Sequence, residues 1–177
     1  NNANYTAIDF DSSANKVVIA YNSPSLPQKA VVGTVSGTSI SFGSETQYTS
    51  YGGNPTVAYD STNNKTLIFF DDADAALKRI IGTVSGTSIS FDTAVTLLSG
   101  NKGYIKSDYD SNNDTAIVVA TDYANSQHGT VVLVGSGTFT ASSTNLTTEN
   151  YIGIANSCSF HGTTETITVT VAGGIFY

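Results

Sequence analysis

Tryptophan and methionine are missing from the chain, cysteine occurs once, and only seven of 177 residues are Lys or Arg. The lone cysteine, Cys158, excludes an intrachain disulfide. It sits in "NSCSFHG" beside His161, which has the residue types of a nucleophile and base pair. No acyl-transfer motif surrounds the pair, and a small side chain buried on a strand explains the cysteine better. The shortage of cations, with a net charge of −7, argues against nucleic acid as a partner. Binding phosphate needs clustered Lys and Arg to displace condensed counterions, and here they are scattered. The same reasoning speaks against an anionic membrane surface. No apolar run approaches the roughly 18–20 residues of a spanning helix, so membrane insertion is not expected. The opening "NNANYTAIDF" has neither a basic start nor an apolar core, so no signal peptide is expected. The chain reads as a mature form, a fragment, or a product exported by another route. Arg79 is the only arginine, which leaves no arginine cluster of the sialidase kind.

Charged residues make up only 12% of the chain, while Gly, Ser, Thr, Asn and Tyr are plentiful. Long-helix formers are scarce, and Val, Ile, Thr, Tyr and Phe recur in short runs, which favours an all-β protein. The decapeptide "GTVSGTSISF" occurs twice, at Gly33–Phe42 and at Gly82–Phe91, 49 residues apart. The repetition extends further, through "IDFDSSANKVVIAY", "VAYDSTNNKTLIFF", "SDYDSNNDTAIVVA" and "CSFHGTTETITVTV". Their shared aromatic falls at Phe10, Tyr59, Tyr109 and Phe160, at spacings of 49, 50 and 51 residues. Asp11, Asp60 and Asp110 follow it in the first three copies and His161 in the fourth. A fixed period of this length marks a repeat architecture.

Within one unit, "PTVAYD" is extended, "STNN" is turn chemistry, and "KTLIFFDD" is an apolar run of strand length. Its counterparts "KVVIAY" and "TAIVVA" are alike, and all three are expected to be central strands buried on both faces. "LKRIIGTVSG" supplies a third strand and "TSISF" opens a fourth, joined by a tight glycine hairpin. The decapeptide is therefore scaffold, with its Val and Ile directed at neighbouring units. Each unit is a four-stranded antiparallel meander of about 50 residues, exposing two faces and two edges and marginal alone. Radial packing of such sheets gives a β-propeller, the expected fold class, with tandem β-sandwich modules as the alternative. Three repeats are assigned to residues 4–50, 51–100 and 101–150, and a partial or degenerate fourth to 151–177. Three and a half units do not close a ring. Completion by the rest of a longer protein, by further copies of the chain, or by a borrowed N-terminal strand is open, and the first is the expected one.

The first-to-second-strand turns, "DSSANK", "DSTNNK" and "DSNNDT", are nearly alike. An Asp opening such a turn accepts backbone N–H groups, which is sufficient reason for it. Calcium, the one cofactor considered, needs six to eight oxygens, and a carboxylate per turn is thin provision. No cofactor is expected. The loops at the opposite end differ completely: "YNSPSLPQK", "FDDADAALK" and "TDYANSQHG". So do the connections "TQYTSYGGN" and "LLSGNKG". Divergence among duplicated units marks a surface released from scaffold duty. Candidate ligand-binding residues lie there. Tyr48 and Tyr51 stand in the first connection, Tyr104 follows the second, and Tyr123 lies beside Asn125, Gln127 and His128. Tyrosine rings with amide and carboxylate neighbours suit shallow sugar sites, although rim aromatics packing between units would have the same pattern. Asp71, Asp72 and Asp74 form the densest acidic cluster, a weak candidate for a divalent ion or a basic partner and equally a solvated loop. A glycosidase needs two carboxylates flanking the sugar bond. None is indicated, and no enzymatic activity is expected. Four N-x-[ST] sequons, at Asn4, Asn64, Asn113 and Asn145, carry little weight in so Asn- and Thr-rich a chain.

Units of the form "YDSNNDTAIVVATDY…GTVVLVGSGT" and "AYDSTNNKTLIFF…IIGTVSGTSISF" resemble tandem repeats in virion surface and tail-associated proteins of bacteriophages, marine ones especially. "NLTTENYIGIANS…TITVTVAGGI" resembles the segment that follows such arrays. The resemblance covers essentially the whole chain and implies an extracellular, virion-borne propeller, part of a longer protein. It carries over no catalytic residue. Two roles follow as expectations. One is a receptor-binding module that contacts a surface glycan or protein through its variable loops. The other is a structural or decorating protein that works through contacts with other virion chains or copies of itself.

Overall fold

The computed structural model describes residues 3–22, 27–135, 144–146, 155–161 and 166–171, the last three stretches as strand paths only. The described chain is all-β, and every strand pairing is antiparallel. The first sheet holds β1 (Thr6–Asp11), β2 (Lys16–Asn22), β3 (Gln28–Ser36), β4 (Ser39–Phe42) and β5 (Thr46–Thr49). The second holds β6 (Gly53–Asp60), β7 (Lys65–Asp71), β8 (Leu77–Ser85), β9 (Ser88–Phe91) and β10 (Val95–Leu98). The third holds β11 (Lys102–Asp110), β12 (Thr115–Asp122), β13 (His128–Gly135) and β14 (Thr144–Leu146). A separate hairpin joins β15 (Ala155–His161) to β16 (Thr166–Val171). Cys158 and His161 lie on β15, and their side chains fall outside the described residues.

The meander order matches the sequence reading, with one refinement. The outermost strand of the first two sheets is broken in two. β4 pairs with the Gly33–Ser36 end of β3, and β5 pairs with its Gln28–Ala30 end. β9 and β10 divide β8 in the same way. The repeated turns are built as their sequence implies. The Asp11 carboxylate accepts Ala14 N at 2.8 Å, and Asp60 accepts Thr62 N and Asn63 N at 3.1 and 2.9 Å. Asp110 accepts Asn112 N and Asn113 N at 3.0 and 3.2 Å. Each turn closes on a left-handed Asn or Asp, at Asn15, Asn64 and Asp114 (φ 54°, 55° and 50°). Short polar side chains tolerate that conformation best among non-glycine residues.

The three sheets stack face to face. Val18, Ala20, Ala30 and Val32 of the first meet Val57, Ile68, Phe70, Ile80 and Ile89 of the second. The opposite face of the second sheet brings Ala58, Leu67, Phe69 and Leu77 against Ala116, Val118, Ala120, Val132 and Val134 of the third. Small residues on one sheet face large ones on the next at both interfaces, which lets the layers interdigitate. The expectation that all three central strands are buried on both faces holds for β7 alone. Leu67, Ile68, Phe69 and Phe70 are all buried there, whereas β2 and β12 alternate. The cause is position, because among the described residues only the second sheet has a packed sheet on each side. At the turn end, sequential sheets are tied by tyrosines. The Tyr59 hydroxyl accepts Ser13 N of the preceding turn at 3.3 Å, and the Tyr109 hydroxyl bonds Thr62 Oγ1 at 3.0 Å. Along the first strands, Thr56 Oγ1 accepts Ser107 N at 3.2 Å, and Asp9 of β1 accepts Tyr59 N at 2.7 Å.

Candidate ligand-binding cleft

Each sheet begins with an irregular first residue or two, and these starts gather at the end of the molecule away from the Asp turns. β6 loses register between Gly53 and Thr56, and β11 between Gly103 and Lys106. Asn54 and Tyr104 occupy the left-handed region inside these bulges, at φ 44° and 48°. A bulge re-aims the side chain it carries. Both positions, with Tyr5 in the first sheet, stand five residues before the shared aromatic, so one repeat position is presented three times.

The bulges are fixed by side chains from the second strand. Asn22 accepts Tyr5 N at 2.8 Å, and its counterpart Asp71 accepts Gly53 N and Asn54 Nδ2, the latter at 3.0 Å. In the third sheet the support is different. Tyr123 opens a single 3-10 turn (Tyr123–Asn125) whose cap, Asp122, accepts Ala124 N at 3.1 Å. Tyr123 N donates to Asn101 O at 2.8 Å. Its ring lies over Gly103, where a β-carbon would stand 2.9 Å from Cε2. Beneath, Lys102 is almost wholly buried, donating to Asp122 Oδ1 at 3.0 Å and to Ser99 O at 2.8 Å.

The result is a cleft of about 190 Å³ walled by Tyr5, Asn54, Asp71, Asn101, Lys102, Gly103, Tyr104 and Tyr123. A second hollow of about 240 Å³ shares Tyr5, Asn54 and Tyr104 and runs on past Asn4, Thr6, Pro55, Ile105 and Lys106. Tyr104 and Tyr123 meet at 6.2 Å between ring centroids, tilted by 46°, and Tyr104 is 71% exposed. Desolvation, then the neighbouring Tyr104 and Tyr5 hydroxyls, push the Tyr123 phenol above its ordinary pKa. Its hydroxyl can donate or accept a hydrogen bond. Among the described residues, Asp71 is the only carboxylate on the walls.

Of the residues singled out from the sequence, Asp71, Tyr104 and Tyr123 come together in this cleft. Tyr48 does not reach the surface, which corrects its assignment to a connecting loop. Residues 46–49 are the second half of the broken outer strand. Tyr48 packs edge-on against Phe70 at 5.3 Å and bonds the buried Gln28 Oε1 at 2.6 Å. Tyr51 is exposed but lines neither hollow. The acidic cluster is dispersed. Asp72 accepts Asp74 N and Ala76 N, each at 3.0 Å, and pairs with Lys78 at 2.6 Å, leaving only Asp71 in the cleft. Among the described residues, no group of three His, Cys, Asp or Glu is placed to hold a metal ion. Asn125 and Gln127 are exposed on the β12–β13 connection, and His128 is half-buried opposite Asp122. None of these three lines the cleft.

Sequence reasoning missed Tyr5 and Asn54. The signal was available, since carrying the repeat alignment a few residues upstream of each "FD" or "YD" pair brings Tyr5, Asn54 and Tyr104 into one column. Comparison with known proteins adds no assignment: no family model and no curated protein matches the chain.

Proposed function

We propose that this chain is a non-enzymatic recognition module, a run of propeller-type repeats that binds a surface glycan in the Tyr5–Tyr104–Tyr123 cleft. The observation that carries the reading is the cleft itself. Exposed tyrosine faces are set among amide side chains at the one repeat position where three successive sheets converge. Sugars present apolar C–H faces that stack on aromatic rings and hydroxyls that need donors and acceptors in fixed places. Asn54, Asn101 and Asn4 supply both donors and acceptors. A lone carboxylate already engaged by Gly53 and Asn54 is poor provision for glycoside hydrolysis, which uses a pair. The propeller assignment is supported by the meander order of each sheet and by contacts between the first strands β1, β6 and β11 of successive sheets. The sequence resemblance to phage virion repeats supports a place on a particle surface, outside the cell.

A glycan array with the purified chain tests this, followed by the same array with Tyr104→Ala. Binding to one sugar family that is lost in the variant, with an unchanged circular dichroism spectrum, is the expected result. Tyr104 is exposed, so its removal leaves the core intact. No binding by a folded sample, or binding indifferent to Tyr104, refutes the assignment. The second reading, a structural or decorating protein, is favoured by the exposed apolar side chains that the first sheet carries, Ile8, Phe10 and Ile40 among them.

A further inference from the structure

Three exposed tyrosines and one carboxylate meet in the Tyr5–Tyr104–Tyr123 cleft, and the carboxylate has no counter-charge there. Asp71 accepts Gly53 N and, at 3.0 Å, Asn54 Nδ2. Both donors are neutral, and among the described residues no Lys, Arg or His forms an ion pair with Asp71. A carboxylate offers about four acceptor sites, so these bonds leave room for a further donor. The cation on the walls, Lys102, does not offset Asp71. It is 5% exposed, and its ammonium is engaged by Asp122 Oδ1 at 3.0 Å and Ser99 O at 2.8 Å. Lys106 is exposed, yet it lines only the adjoining hollow. The rings add to the same sign. The face of a tyrosine ring is the negative side of its quadrupole, and cations are attracted over it. Tyr5, Tyr104 and Tyr123 are 50%, 71% and 37% exposed. The Tyr104 and Tyr123 centroids are 6.2 Å apart, so one cation can lie within about 6 Å of both.

We infer that the cleft selects glycans carrying a free, positively charged amine, which sits against Tyr104 and Tyr123 and donates to Asp71. The inference rests on reading the cleft as a glycan site, and it names the sugar class. A neutral hexose gains ring stacking and hydroxyl bonds alone and leaves the Asp71 charge without a counter-charge. An ammonium adds a counter-charge for Asp71 and N–H donors for its remaining acceptor sites. Hydrogen bonds between charged partners are roughly twice as strong as neutral ones. An acidic sugar is disfavoured, since its carboxylate faces Asp71 and the ring faces across the same small space. A primary ammonium suits the site better than a quaternary one, which has no N–H to give Asp71. The net charge of −7 attracts cations to the chain as a whole. The cleft supplies the specific place, because ring faces and an uncompensated carboxylate converge there.

Isothermal titration calorimetry on the full chain tests this, with the glucosamine disaccharide, its di-N-acetylated counterpart and choline as ligands. A mildly acidic buffer keeps the sugar amine protonated. The amine disaccharide is expected to bind roughly tenfold more tightly than the acetylated one, the scale of a partly desolvated cation–π contact. Tyr104→Leu and Asp71→Asn are each expected to remove most of that preference. Tyr104→Phe is expected to keep it, because the ring face remains when the hydroxyl is gone. Tyr104 is exposed, so its variants test the site even where Asp71→Asn disturbs the β6 bulge. Equal binding of the two disaccharides overturns the inference and leaves the glycan reading standing. Binding of neither also overturns it, and the glycan array then decides the glycan reading separately. A preference that survives both Tyr104→Leu and Asp71→Asn overturns it too, since general attraction to an acidic chain then explains the binding. Choline bound more tightly than the amine disaccharide overturns the primary-amine assignment and indicates a quaternary ammonium instead.

Discussion

The decapeptide Gly33–Phe42 and its copy Gly82–Phe91 form the same hairpin in the same register, yet they live in different environments. Gly33 pairs with Phe42 and Val35 with Ile40, as Gly82 pairs with Phe91 and Val84 with Ile89. In both copies the isoleucine lies over the glycine, whose missing β-carbon makes the room. An added carbon would stand 2.8 Å from Ile40 Cδ1 in one copy and 2.6 Å from Ile89 Cδ1 in the other. Beyond that point the copies part. Ile40 is 44% exposed and Ile89 is 4% exposed. Val84 and Phe91 pack on the core between the first two sheets, whereas Val35 and Phe42 face outward. Identical residues thus reach identical local structure, and burial is decided by whether another sheet lies across them.

The largest difference is expected between Ile89→Ala and Ile40→Ala. The first should cost about 2–5 kcal/mol, the range for truncating a buried aliphatic side chain. The second should fall within about 0.5 kcal/mol, as surface changes do. Urea denaturation of both variants at low concentration checks this. Equal losses would mean that Ile40 is already covered in the single chain.

The glycine pair sharpens the same comparison. Gly82→Ala should cost roughly 1–3 kcal/mol, because Ile89 and Phe91 are held beneath the first sheet and cannot yield. Gly33→Ala should cost clearly less, since the exposed Ile40 can swing aside, although Val17 also crowds the site. Matching melting temperatures for the two variants would contradict this.

Smaller effects are expected at the inter-sheet tyrosines. Tyr59→Phe removes a hydroxyl that accepts Ser13 N and donates to Asn64 Oδ1, and should cost about 0.5–1.5 kcal/mol. The reverse change at the equivalent position, Phe10→Tyr, should give no comparable gain, since Phe10 is 47% exposed and a hydroxyl there stays in solvent. Thermal melts of the two variants check the asymmetry.

The smallest effect concerns a lysine that recurs with a different partner. Lys29 pairs with the more exposed Glu45, and its counterpart Lys78 pairs with Asp72. Burial raises the Asp72 pKa, but the Lys78 hydrogen bond and charge, with the Ala76 and Asp74 amides, outweigh it and hold the group below its ordinary 3.8. A depressed carboxylate stabilises the fold above its unfolded value, and the contribution disappears as pH falls below 3.8 through the folded value. Asp72→Asn should flatten the acid limb of the stability curve by less than about 1 kcal/mol, given the partial exposure of the pair. An unchanged limb in acid titration would assign the acid sensitivity elsewhere.

Much of the fold was legible in the sequence, and the parts that were not share a cause. The meander, the Asp turns and the glycine hairpin could be read because each depends on residues close together in the chain. The double burial expected for "KVVIAY" and "TAIVVA" failed because hydrophobicity alone does not reveal whether a strand has a sheet on each side. Tyr48 was misplaced for a related reason. The broken outer strand resumes at Thr46 after a short loop, and nothing in "TQYTSYGGN" marks where strand gives way to connection. In the cleft, Tyr104 and Tyr123 were visible as aromatics on variable segments. Tyr5 and Asn54 stand at strand starts and become neighbours only when the three sheets converge.

By itself the sequence determined the β class, the period, the turns and the pairing within each sheet, since backbone hydrogen bonds and turn chemistry act over short distances. Only the tertiary structure decided which copy of a repeated residue is buried, which tyrosine joins the core and which three line the cleft. Those outcomes rest on contacts between sheets, where the neighbour of a side chain lies some 50 residues away along the chain.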